Sequence, residues 1–174
     1  MSRNINIVGN FNIRAADAKL AVFDFDGVFT DNTVYINEKG EETVRCFRGD
    51  GFGLTSLKNA GVKIWVISTE KNSVVARRCK KLSIACKTGL TNKVATLKNL
   101  ARKLNVPLAN VAYVGNDIND IDCLKMVGLP VVVADSDNLV KKSALFQTKK
   151  SGGFGAVREV CDWIVACKNY QKKK

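Results

Sequence analysis

The sequence contains no histidine, which removes histidine-based triads, histidine zinc sites and imidazole acid–base catalysis. Its six cysteines (Cys46, Cys79, Cys86, Cys123, Cys161, Cys167) form no Cys-x-x-Cys pair and read as reduced core thiols of a cytoplasmic protein. Only two prolines are present, so a Pro-rich linker is excluded. No apolar run approaches the ~18 residues that a membrane span needs; residues 62–67 and 129–134 are among the longest. The first residues, MSRNINIVGNFNIRAADAK, lack the apolar stretch of a signal peptide. Aromatics make up 7% of the chain and do not interleave with the basic residues, which argues against a nucleic-acid groove. A soluble protein is expected, with no membrane and no nucleic-acid partner.

What the chain does have is positive charge. Twenty-eight Lys and Arg against 16 Asp and Glu give a net charge of +12. The basic residues are spread out, in doublets such as Arg77-Arg78 and Lys80-Lys81, as on solvated helix faces. At 174 residues the chain has room for one domain. We expect a core over about residues 19–168, an N-terminal extension over 1–18 and a basic tail over 169–174.

Short β-rich apolar runs alternate with amphipathic stretches. Residues 19–25, 62–67, 111–115 and 129–134 read as strands buried on both faces, with minor strands at 84–87 and 145–148. Residues 53–60, 72–82, 92–104, 120–127 and 156–167 carry helical spacing. This alternation predicts an α/β fold, a Rossmann-like parallel sheet with helices on both faces. Residues 33–36 and 43–47, around the turn 37–40, predict a β-hairpin flap inserted after the first strand. It is too short to be a cap domain.

In such sheets ligands bind beyond the carboxyl ends of the strands. There the sequence places Asp24, Asp26, Gly27, Thr30 and Asp31, then Ser68, Thr69, Glu70 and Lys71, then Gly115, Asn116, Asp117, Asn119 and Asp120. Carboxylates converging on one edge repel, and a hard divalent cation such as Mg²⁺ relieves the repulsion. If the strand continues, period-2 geometry points Asp24 and Asp26 the same way. One carboxylate as nucleophile and a second carboxyl as general acid suffice for phosphoryl transfer through an aspartyl phosphate.

These motifs resemble those of haloacid-dehalogenase-superfamily phosphatases, specifically the capless branch acting on phosphorylated eight- and nine-carbon sugar acids. The resemblance rests on DFDGVFTD at 24–31, Ser68 in VIST, Lys93 in TNK and GNDIND at 115–120. RGDGFG at 48–53 and SGGFGAVREV at 151–160 resemble segments particular to that branch. It implies that Asp24 attacks phosphorus and that Asp26 serves as acid and then base. Ser68 would hydrogen-bond a phosphoryl oxygen, and Lys93 would neutralise charge. It also implies Mg²⁺ held by Asp24, the Asp26 carbonyl, Asn116 and Asp117. The family usually has aspartate where Asn116 stands, so one ligand charge is missing.

The segment Ser68-Thr69-Glu70-Lys71, followed by Arg77 and Arg78, resembles the nonulosonate 9-phosphate side of the branch. Glu70, Lys71, Arg77 and Arg78 are therefore substrate-binding candidates, together with Thr30, Gly152 and Gly153. The leading expectation is a Mg²⁺-dependent phosphatase of an acylneuraminate- or KDN-type nonulosonate 9-phosphate. The alternatives are a 3-deoxy-D-manno-octulosonate 8-phosphate phosphatase and a catalytically weak assembly module of a CMP-sialate synthetase. With no cap to close the site, the resemblance implies a homotetramer. Hairpins carrying Val34, Ile36, Val44 and Phe47 would pair, and a neighbour's glycine-rich tail would close each site, with Arg158 as a carboxylate or structural partner.

Overall fold

The computed structural model describes residues 10–173. Chain order is α1 (Asn10–Asp17), β1 (Leu20–Phe23), β2 (Tyr35–Ile36), β3 (Glu42–Thr43), α2 (Asp50–Asn59), β4 (Lys63–Ile67), α3 (Ser73–Lys81), β5 (Ala85–Lys87), α4 (Lys93–Lys103), β6 (Val111–Gly115), α5 (Ile121–Met126), β7 (Leu129–Val132), α6 (Asn138–Lys141), β8 (Phe146–Gln147) and α7 (Ala156–Gln171). Six strands pair in the order β5-β4-β1-β6-β7-β8, all parallel, and β2 and β3 form a separate antiparallel hairpin.

The strands are apolar on both sides because both faces are covered, as parallel sheets require. Ala21 and Phe23 of β1 join the core under α1, α2, α3 and α7. Leu20 and Val22, the alternate residues, join the core under α4, α5 and α6. From β1 the chain runs outward to β4 and β5, then returns across the sheet to β6 and continues to β7 and β8. The reversal lies between β1 and β6, and a crevice opens there at the carboxyl ends of the strands.

Two elements differ from expectation. Residues 10–17, expected as part of an unassigned extension, form α1, while residues 1–9 lie outside the described part. The anchor is tertiary: the Trp163 indole N–H donates to the buried Asn12 Oδ1 at 2.8 Å, and the Lys168 ammonium donates to the Ala16 carbonyl at 2.8 Å. The hairpin strands are two residues each, shorter than expected. Below them Cys46 bridges to Thr30 and the Arg45 Nε meets Asp31 Oδ2 at 2.8 Å, which ties the flap's base to the end of the Asp24–Asp31 segment.

Candidate active site

The loop after β1 is built by alternation of core and site residues. Phe25, Val28 and Phe29 are buried, with the Phe25 and Phe29 rings stacked at 5.6 Å. Anchoring these three in the core leaves Asp24 and Asp26 at the crevice. Gly27 has φ +73°, and a Cβ there would lie 2.0 Å from Asn116 Nδ2, so only glycine lets the loop touch the Asn116 side chain. The Thr30 hydroxyl oxygen accepts from the Gly27 N–H at 3.1 Å and the Asn32 N–H at 3.3 Å. Thr30 therefore holds the loop's shape.

Asp24 is buried, and the Lys93 ammonium stands 2.9 Å from its Oδ2. The same ammonium donates to Asp120 Oδ1 at 2.8 Å. Burial, with help from the Asp120 charge, pushes the Asp24 carboxyl up to about 7, while Lys93 opposes the rise. Burial and then Glu70 raise the Asp26 carboxyl, which helps it keep a proton to donate. Ser68, buried at the end of β4, accepts the Glu70 N–H at 3.0 Å; that bond leaves the hydroxyl's own proton to donate.

β6 delivers Asn116. Its Oδ1 is buried and has no hydrogen-bond partner, a hard acceptor with its pairing unmet. This orphan oxygen belongs to the side chain that Gly27 approaches and fits a hard cation; Asp24, the Asp26 carbonyl and Asn116 would hold it. Among the described residues no three carboxylate or thiol side chains converge on one point, so the donor set is mixed. The Asp117 Oδ1 accepts the Ile118 N–H at 2.7 Å and caps the short 3₁₀ turn Ile118–Asp120.

The substrate candidates separate into groups. Glu70 lines a cleft with Asp26, Asn32, Glu42, Asn72 and Val74. Its Oε1 is already engaged by the Lys71 and Asn72 N–H groups, at 2.6 and 2.7 Å. Lys71 lies outside this cleft lining, against Gly89, and Arg77 is exposed on α3. Arg78 turns to the flap's base, where it donates to the Phe47 carbonyl at 3.2 Å. Gly152 and Gly153 pack against the loop after β1 of their own chain: a Cβ on Gly152 would lie 1.9 Å from the Gly27 carbonyl oxygen, and the Gly153 N–H donates to the Val28 carbonyl at 3.2 Å. Within this chain the glycine tail therefore braces the loop from behind. Arg158 is paired with Asp162 at 2.7 Å.

Two residues of the site have no role that the sequence alone assigns. Asp120, fully buried, accepts from Lys93, from the Tyr113 hydroxyl at 2.6 Å and from the Asn116 N–H at 2.9 Å. A Cβ on Gly115 would strike Asp120 Oδ2 at 2.5 Å, and that contact explains the glycine before Asn116. Tyr113 reads in sequence as one more apolar strand residue.

A family profile described as haloacid dehalogenase-like hydrolase matches residues 71–160. Over 153 residues the chain is 36% identical to the 3-deoxy-D-manno-octulosonate 8-phosphate phosphatase of Escherichia coli (strain K12), covering 87% of this chain and 81% of that one. The chain belongs to the haloacid dehalogenase-like hydrolases. Among solved structures, this hydrolase superposes on the octulosonate 8-phosphate phosphatase of Moraxella catarrhalis, in complex with magnesium ion, phosphate ion and a KDO molecule. That match has a TM-score of 0.90 and 31% identity, over 95% and 96% of the two chains. The cobalt-bound phosphatase of Haemophilus influenzae matches with a TM-score of 0.86 at 27% identity, over 90% and 92%. The Rossmann-like fold without a cap domain is thus that of its relatives. Among the described residues no helix is long and apolar enough to cross a membrane.

Proposed function

We propose that this hydrolase is a Mg²⁺-dependent phosphomonoesterase acting on a phosphorylated 3-deoxy-ulosonic acid, with octulosonate 8-phosphate as the first candidate. The observation that carries the reading is the buried Asp24–Lys93 pair at the end of β1, 2.9 Å apart, with Asp26 two residues on. Relatives bearing the octulosonate name match over nearly the whole chain. They favour the eight-carbon substrate over the nine-carbon one expected from the Glu70-Lys71 segment. The engaged Glu70 carboxylate also weakens the basis for the nine-carbon expectation. Nonulosonate 9-phosphate stays as the second reading because Glu70 lines the cleft beside Asp26.

In this reading an Asp24 carboxylate oxygen attacks phosphorus, and Asp26 gives its proton to the departing alkoxide. Asp26 then takes a proton from the water that attacks the aspartyl phosphate, releasing inorganic phosphate and restoring Asp24. Ser68 donates to a phosphoryl oxygen, and Lys93 offsets the charge that builds around the transferring group. A divalent cation on Asp24, the Asp26 carbonyl and Asn116 Oδ1 supplies further charge neutralisation when bound.

Phosphate release from the two sugar-acid phosphates, measured side by side with Mg²⁺, tests the substrate reading. Higher kcat/KM on octulosonate 8-phosphate is expected; activity on neither compound would remove it. We also propose a homotetramer joined through the hairpins, on which Val34, Tyr35 and Ile36 are 52%, 64% and 64% exposed. Sedimentation of a Val34→Glu/Ile36→Lys variant should show smaller species, and an unchanged tetramer would contradict the hairpin contact.

A further inference from the structure

Asp120 carries a buried charge that must be satisfied from inside the protein. Its Oδ2 takes the Asn116 N–H at 2.9 Å, and its Oδ1 takes both the Lys93 ammonium at 2.8 Å and the Tyr113 hydroxyl at 2.6 Å. Lys93 in turn is shared, with Asp24 Oδ2 at 2.9 Å. Tyr113 itself is fully buried in the middle of β6, fixed by pairing to Val22 of β1 and Pro130 of β7. A rigid strand thus presents one hydroxyl to the oxygen for which Lys93 also competes.

We propose that Tyr113 is a positioning residue for phosphoryl transfer, its hydroxyl bond to Asp120 holding Lys93 in place against the Asp24 nucleophile. This rests on Asp24 being the nucleophile, and not on which sugar acid is the substrate. Asp120 Oδ1 with two donors divides its attraction between them. Deprived of the phenol, that oxygen draws on the ammonium alone, and the ammonium moves toward Asp120 and away from Asp24. Burial and the Asp120 charge hold the Tyr113 phenol well above its ordinary range, so the hydroxyl stays a donor. The same carboxylate fixes the Asn116 backbone, so the bond also steadies the turn that carries the orphan Asn116 oxygen.

The test uses p-nitrophenyl phosphate with saturating Mg²⁺, so that failure of the sugar-acid reading does not affect it. Tyr113→Phe keeps the ring in the core. It is expected to lower kcat by roughly tenfold or more, the scale on which small displacements of catalytic groups act, with KM within about twofold. Inhibition by orthovanadate, a phosphoryl-transfer mimic, should weaken by a similar factor. A purely structural tyrosine would lower the melting temperature without changing vanadate inhibition. Incorporation of p-aminophenylalanine at position 113 restores an N–H donor and should return kcat to within about threefold of the parent. If Tyr113→Phe does not fold, p-methylphenylalanine at that position, which fills the volume without donating, takes its place in the comparison. The proposal is overturned if the variant without a donor turns over within about twofold of the parent, or if the amino-substituted protein is as slow as that variant. Inactivity of the parent protein toward every phosphomonoester would instead refute the phosphatase reading itself.

Discussion

Replacing Asp50 with asparagine is expected to stabilise the protein above neutral pH. Asp50 opens α2 and is 1% exposed. Its Oδ1 accepts the Arg158 N–H at 3.1 Å, whereas Oδ2 is buried with no partner. Burial pushes the carboxyl from 3.8 up to about 6, against the pull of the Arg158 N–H and the Arg78 and Arg158 charges. A raised folded pKa means that the folded protein binds this proton more tightly than the unfolded chain. Stability therefore falls as pH rises from 3.8 to about 6, and the full penalty is present above that window. Roughly two pKa units at ~1.36 kcal/mol each amount to about 3 kcal/mol. The amide introduced by Asp50→Asn would put an unpartnered donor where Oδ2 now lies, which costs roughly 1–2 kcal/mol. The net gain near pH 8 is about 1–2 kcal/mol, a rise in Tm of roughly 2–8 °C for a chain of this size. Thermal melts of the parent and Asp50→Asn at pH 4, 6 and 8 measure it. A gap of the same size at all three values, or a less stable variant at pH 8, would refute the reasoning.

Restoring a ligand charge with Asn116→Asp should lower the Mg²⁺ concentration for half-maximal activity by about tenfold, as read from a metal titration; no change would count against Asn116 as a ligand. Gly152→Ala forces a Cβ to within 1.9 Å of the Gly27 carbonyl oxygen. Such overpacking costs about 1–3 kcal/mol, and because the strain falls on the nucleophile loop, kcat should drop together with Tm. Retained full activity would show that the tail does not brace the loop.

Much of this was written in local pattern. The β6 bounds Val111–Gly115 match the apolar run, and α3 and α4 begin after Asn72 and Asn92, whose side chains accept the Val74 and Ala95 N–H groups. What local pattern could not show was tertiary. Helix α1 depends on Trp163, 151 residues away from Asn12. Helix α2 starts at Asp50, ahead of the expected 53–60, and Gly53 lies inside it because a Cβ there would lie 3.1 Å from both the Arg158 Cα and the Cys161 Cβ of α7. At the site, Asp24 pairs with Lys93 and the Asn116 side chain stands against Gly27. Asp120 was visible as one carboxylate of its cluster, but its bonds to Lys93 and Tyr113 stayed hidden because a buried hydrogen-bond hub has no sequence period. The packing of the glycine tail on the Gly27–Val28 loop of its own chain was likewise not legible in local pattern.

The central claim is that Asp24 becomes phosphorylated. Acid quenching during turnover of octulosonate 8-phosphate with Mg²⁺, followed by mass spectrometry of the peptide spanning Asp24, tests it directly. The account predicts that this peptide gains one phosphoryl group, on Asp24, and that the gain disappears in Asp24→Asn along with phosphate release. Steady phosphate release from the Asp24→Asn protein, or a phosphoryl group trapped on a different residue, would contradict it.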